Sequence, residues 1–186
     1  MDSVAAKIIT PDDMLAMPDE KCYELVNGEL VEKQPRGGEA SWVQLKIGRL
    51  MAAHCEERNL GWAFSEAAYT CFPGEPNKVR RPDLSFVKRG RLPGEKLPKG
   101  YISIPPDIAV EVISPKDLAY EVEDKVLEYL HAGVQRVWLI YPDARTVHIR
   151  SLNSTISLRN GADLTDEDVL PGFRHPVSDF FPPNEI

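Results

Sequence analysis

Two acidic residues stand where ionised carboxylates are costly. Glu111 interrupts the apolar run Ile108-Ala109-Val110-Glu111-Val112-Ile113, and a carboxylate in a low-dielectric strand is tolerated only if it is paired or coordinates a cation. Asp83 follows Pro82 at the entrance to a second apolar stretch, Leu84-Ser85-Phe86-Val87. Each alone also reads as structural, Glu111 as half of an ion pair and Asp83 as a polar strand entrance. Together on adjacent strands they would offer oxygens to a hard divalent ion. Mg²⁺ takes such ligands, commonly one or two carboxylates completed by waters and phosphate. A third feature is charge. Between Lys78 and Lys99 lie eight basic residues and two acidic ones, a local +6 on a chain of net charge −7. Such a run is either a solvated loop or a phosphate-facing patch, and Arg80, Arg81 and Lys88 are its candidates for phosphate contacts.

Other chemistries find less support. His54, His131, His148 and His175 are scattered without the spacing of a catalytic triad or a zinc site. Gly37-Gly38 is the only dense glycine pair and lacks a phosphate-loop pattern. Cys22, Cys55 and Cys71 form neither a paired disulfide framework nor a metal knuckle, and read as reduced thiols. A net −7 disfavours a protein that coats nucleic acid by bulk attraction.

The elements that must position these groups follow from periodicity. A length of 186 residues with 42% hydrophobic and 27% charged residues is that of one ordinary globular domain, expected over 1–186. No run approaches the ~18 apolar residues of a membrane span, and the N-terminus is unlike a secretory signal, so a cytoplasmic protein is expected. Thr10-Pro11-Asp12-Asp13 predicts a helix start, and Asn27-Gly28 a hairpin turn over 23–31. Val43, Ile47, Leu50, Met51 and His54 recur at helical spacing over about 40–58, with Gly61 where a C-terminal cap would stand. Period two over 62–72 predicts a strand, followed by strands at 83–87 and 107–113. Leu118, Val122, Val126, Tyr129 and Leu130 make a helical stripe over 117–132. A strand follows at 137–141, then a hairpin partner at 146–152 and a tail of loops. The expected fold class is α/β: a mixed-sheet core of helix, three strands, helix and strand, with a hairpin before it and a hairpin and tail after it.

Four segments together carry a resemblance. They are Tyr-Glu-Leu-Val-Asn-Gly-Glu-Leu at 23–30, Arg-Pro-Asp-Leu-Ser-Phe-Val at 81–87, Pro-Asp-Ile-Ala-Val-Glu-Val-Ile-Ser-Pro at 106–115, and Lys125 with Glu128-Tyr129 and Gly133-Val134. In order and spacing they resemble the Uma-two-type restriction endonuclease family of the PD-(D/E)XK nuclease superfamily. The tail Leu170-Pro171-Gly172-Phe173 with Phe180-Phe181 is similar too, so the likeness runs over nearly the whole chain. That core of helix, three strands, helix and strand is also the superfamily's.

The resemblance implies that Asp83 and Glu111 are metal ligands and that Glu24 is an additional acid of the site, though a plain strand glutamate reads almost as well. The superfamily places a lysine two residues after the second acid, where this chain has Ile113. The family likeness moves it to Lys125, whose alternative reading is a surface ion pair with Glu121 or Glu128; Lys116 is the fallback. A histidine frequent near the start of the long helix is absent, with Glu39-Ala40-Ser41 in its place.

The implied activity is Mg²⁺-dependent (Mn²⁺ a possible substitute) endonuclease hydrolysis of DNA. The ion would polarise the scissile phosphate and lower the pKa of water, and Lys125 would stabilise the transition state. Lys125→Ala is then expected to lower turnover while leaving folding nearly intact. The expected partners are DNA and, for cutting both strands, a second copy in a homodimer. A non-catalytic binder of nucleic acid or protein, and a metal-dependent phosphoesterase on a small substrate, remain open alternatives.

Overall fold

A computed structural model describes residues 8–20 and 23–183. A short helix α1 (Pro11–Leu15) is capped by Thr10, whose hydroxyl accepts from the Asp13 amide while the Asp13 carboxylate accepts from the Thr10 amide. The hairpin strands β1 (Tyr23–Val26) and β2 (Glu29–Glu32) turn at Asn27-Gly28. Both turn residues have positive φ, 53° and 82°, as a two-residue primed turn requires.

Helix α2 (Gly38–Arg58) buries Ala40, Val43, Gln44, Ile47, Met51 and Cys55, one stripe at a 3.6-residue period. Its left-handed cap is Asn59, φ 56°, not Gly61. Gly61 opens strand β3 (Gly61–Ser65) at φ 153°, where a Cβ would collide with the Val87 carbonyl oxygen. Strands β4 (Leu84–Lys88) and β5 (Ile108–Val112) follow, then α3 (Ala119–His131) and β6 (Arg136–Tyr141). After these come β7 (Thr146–Ser151), β8 (Ser154–Leu158), β9 (Asp163–Asp166) and β10 (Leu170–Pro176).

The central sheet has the order β3-β4-β5-β6-β7-β8, antiparallel throughout except for β5 against β6, which are parallel and joined through α3. Alternate residues serve two cores, as a period of two demands. Leu84, Phe86, Ile108, Val110 and Trp138 pack under α2 and the separate β9–β10 hairpin. Val87, Ala109, Val137 and Leu139 face Val126, Tyr129 and Leu130 of α3. A smaller core of Met14, Leu25, Ala68 and Val79 docks α1 and the first hairpin, and a backbone bridge Leu25↔Val79 ties that hairpin to the basic run.

The expected core order of helix, three strands, helix and strand is present. Two further expectations change. The strand over 62–72 stops at Ser65 because Glu66 takes φ 55°; beyond it the chain leaves the sheet, and Tyr69 bridges Arg80 and Ile102 instead. The tail is not loops. Ser154–Leu158 is a largely exposed edge strand, so it shows little apolar alternation, and the β9–β10 pairing shifts register between Leu170 and Arg174, which breaks the period of two. Cys55 and Cys71 are free thiols, and Cys22 lies outside the described residues. Among the described residues no helix is long and apolar enough to cross a membrane.

Candidate active site

Glu111 sits one residue before the end of β5, and its register places the other acid. Leu84 pairs with Val110, so one step further Asp83 comes opposite Glu111 on the same face, the α3 side. Directly opposed residues of an antiparallel pair hold their Cβ atoms about 4.5–5.5 Å apart. Asp83 is fully buried. Its Oδ2 accepts the Val112 amide at 2.6 Å, and its Oδ1 is ion-paired with Arg36. The other guanidinium nitrogen of Arg36 donates to the Val112 carbonyl oxygen at 2.9 Å. Burial first, and then the neighbouring Glu111 charge, push the Asp83 carboxyl above the usual aspartate range despite Arg36 and Lys125.

Helix α3 brings the lysine. Lys125 lies three residues after Val122 and four before Tyr129, hence on the inward stripe. Its Nζ is 3.0 Å from Glu111 Oε1 and 3.0 Å from Glu24 Oε1. Burial works against its charge, but Glu111, Glu24 and Asp83 outweigh that and raise its pKa, so it remains an ammonium. The Tyr129 hydroxyl donates to the same Glu111 oxygen at 2.9 Å. Ile113, at the superfamily's lysine position, is an apolar residue packed on the α3 side of the sheet. The ammonium therefore reaches this face from the helix, not from the strand.

The first hairpin delivers Glu24. Its Oε1 accepts the Arg81 amide at 2.7 Å, and its Oε2 pairs with Arg80 Nη1 at 2.9 Å. Burial raises its pKa, yet Lys125, Arg80 and the Arg81 amide overcome this and hold the carboxyl down at about 2. Arg80 also pairs through Nε with Glu128 at 2.6 Å, and Lys78 with the same carboxylate at 2.8 Å.

These contacts revise two readings of the sequence. Lys125 faces inward between two carboxylates, with Glu128 given over to Arg80 and Lys78, so it is no surface ion pair and its removal must disturb folding. The start of the basic run is not a solvated loop, since Lys78, Arg80 and Arg81 are buried. The Arg81 guanidinium is held by Glu20 and by the Tyr23 carbonyl. Lys88 ends β4 about 17 Å from Asp83 at ~3.4 Å per residue, with its Nζ on the Asp168 carbonyl. Lys116 is exposed on the turn after β5.

Three participants escaped the sequence reading. Arg36, between Pro35 and Gly37, has no local signature. Gln44 had one, being a polar residue on the buried stripe of α2; its Nε2 donates to Glu66 Oε1 at 3.0 Å and to the Asp83 carbonyl at 3.1 Å. Glu66, also ion-paired with Lys33, keeps its left-handed backbone beside Asp83.

A cavity of about 720 Å³ opens on the cluster, bounded by the first hairpin, residues 32–36, the end of β5 and α3, with Glu24, Arg36, Glu111 and Lys125 in its wall. Among the described residues no three His, Cys, Asp or Glu side chains gather as a closed metal cage would need. The donors at hand are two carboxylates and the Val112 carbonyl, all oxygen. An open site of this kind suits Mg²⁺ or Mn²⁺, which keep waters and substrate oxygens among their ligands.

No curated protein matches the sequence. A crystal structure from Anabaena variabilis, described as "a putative nuclease belonging to DUF820", aligns with a TM-score of 0.80 at 25% identity, over 93% of this chain and 97% of that one. Residues 11–178 match the profile described as "Uma2: Putative restriction endonuclease". That span takes in Glu24, Asp83, Glu111 and Lys125 alike, and over it the chain belongs to the Uma2 family.

Proposed function

We propose that the protein is a metal-dependent endonuclease that hydrolyses DNA phosphodiester bonds. The observation that carries this reading is the convergence of Asp83 at the entrance to β4, Glu111 of β5 and Lys125 of α3 in one cluster, with Glu111 and Lys125 in the cavity wall and Asp83 buried behind it. Asp83 and Glu111, with the Val112 carbonyl, would hold a divalent ion such as Mg²⁺; when bound, it polarises the phosphate and makes water more acidic. Lys125 carries a fixed positive charge beside Glu111 and stabilises the charge that builds on phosphate oxygens in the transition state. Glu24 acts through Lys125: gripped by Arg80 and the Arg81 amide, it holds the ammonium at the cavity wall and is a positioning residue. Tyr129 does the same for Glu111.

Arg80, Arg81 and Lys88 are poor candidates for gripping DNA. The first two are themselves buried and ion-paired, Arg80 with Glu24 and Glu128 and Arg81 with Glu20, and the third lies toward the opposite end of β4. A homodimer would match the two-fold symmetry of a duplex cut on both strands. A plasmid-nicking assay with Mg²⁺, with Mn²⁺ and with EDTA tests the proposal. Metal-dependent nicking that disappears in Asp83→Asn supports it. Nicking equal in EDTA, or retained in Asp83→Asn, overturns it.

A further inference from the structure

Among the described residues Arg36 has two polar partners, and both are oxygens of the donor set just described: Asp83 Oδ1 and the Val112 carbonyl. A guanidinium cannot be deprotonated in a protein, and its planar fork can span two acceptors at once. It therefore supplies at this corner the positive charge that a divalent ion would bring. We propose that Arg36 and the divalent ion are mutually exclusive occupants of the corner between Asp83 and the Val112 carbonyl, so that Arg36 sets the metal affinity of the site. This rests on the reading that Asp83 and Glu111 bind an ion.

Charge balance supports exclusion. Within the buried part of the cluster Asp83, Glu111 and Glu24 face Arg36, Lys125 and Arg80, three negative charges against three positive, while Lys78 offsets Glu128; its second partner, Glu75, is 40% exposed and screened by solvent. An ion added with Arg36 in place would leave two uncompensated positive charges in a largely buried cluster, a heavy cost at low dielectric. Exchange of Arg36 for the ion leaves one, which a single phosphodiester neutralises. Metal and substrate would then be favoured together over either alone.

The local chain is built to let the side chain go. Arg36 is borne on the irregular segment between β2 and α2, and its side chain is 23% exposed where that of Asp83 is 0%. The next residue, Gly37, caps α2 without a side-chain hydrogen bond. A Cβ added at Gly37 or Gly38 would meet nothing within 4 Å, so the backbone beside Arg36 has open space around it. Asp83 and Val112, by contrast, are fixed by the sheet.

The test is a titration of metal-free protein with Mn²⁺, read by the electron paramagnetic resonance of the free ion, on wild type, Arg36→Gln, Arg36→Lys and Asp83→Asn. Arg36→Gln should bind Mn²⁺ about tenfold or more tightly than wild type, since a charge-assisted hydrogen bond no longer has to be broken. Arg36→Lys should also bind more tightly, because an ammonium keeps the charge but cannot span both oxygens. Asp83→Asn should lose the site. In wild type, hydrogen exchange over residues 33–38 should speed up at saturating Mg²⁺ as the segment is released; this reading needs no variant to fold. Wild-type affinity in Arg36→Gln, or in Arg36→Lys, or slower exchange over 33–38, overturns the inference while Asp83-dependent binding keeps the metal reading intact. Absence of Asp83-dependent Mn²⁺ binding in wild type and both Arg36 variants overturns the metal reading itself.

Discussion

Replacing Lys125 by methionine keeps the length of the side chain and removes its charge from between Glu24 Oε1 and Glu111 Oε1, each 3.0 Å from the ammonium. Both acids are buried, and removing one partner of a buried ion pair costs about 3–5 kcal/mol because the other charge is left uncompensated. The carboxylates keep some support: Glu24 retains Arg80 and the Arg81 amide, and Glu111 retains the Tyr129 hydroxyl. The expected loss is therefore at the low end of that range, about 3 kcal/mol. For a chain of this size that corresponds to a fall in Tm of roughly 6–12 °C. The assay is urea unfolding followed by circular dichroism in EDTA, so that no ion stands in for the ammonium. Glu24→Gln placed on the Lys125→Met background should recover part of the loss, since an amide needs no counter-charge, and a double-mutant cycle would measure the coupling. A Lys125→Met protein within about 0.5 kcal/mol of wild type, the usual scatter of surface substitutions, would refute the view that the lysine clamps two buried acids.

Glu24, held down at about 2 against an ordinary 4.5, contributes stability that is complete above 4.5 and is lost as pH falls toward 2. Between these values wild type should lose up to about 3 kcal/mol more than Glu24→Gln; parallel pH–stability curves would contradict the assignment. Arg81→Ala should lower Tm, because the buried guanidinium's contacts with the Glu20 carboxylate and the Tyr23 carbonyl are lost, while the salt dependence of DNA affinity stays as in wild type. A flatter slope in a fluorescence-anisotropy salt series would return Arg81 to the interface. Gly61→Ala should destabilise by about 2 kcal/mol or more, since its Cβ would overlap the Val87 carbonyl at the first pair of the β3–β4 ladder; an unchanged thermal melt would show that the strand end yields.

Much of the frame is a short-range property and was legible in the chain. Apolar periodicity marks α2, α3 and the interior strands because each buries a face whose spacing the backbone dictates. Glu111 is conspicuous because it breaks such a run, and the family likeness joined it to Asp83, Lys125 and Glu24. What only the tertiary structure decided is which charges neutralise which. Lys78 and Arg80 belong to a basic run by local count, yet their common counter-charge, Glu128, lies 50 and 48 residues further along the chain. Arg36 reaches Asp83 and Val112 from 47 and 76 residues away, and no local pattern marks it. Ion pairing depends on distance in space, and sequence periodicity reports only which face of an element is buried. The same limit hid the strands of the tail, where an exposed edge and a register shift remove the alternation that reveals a strand.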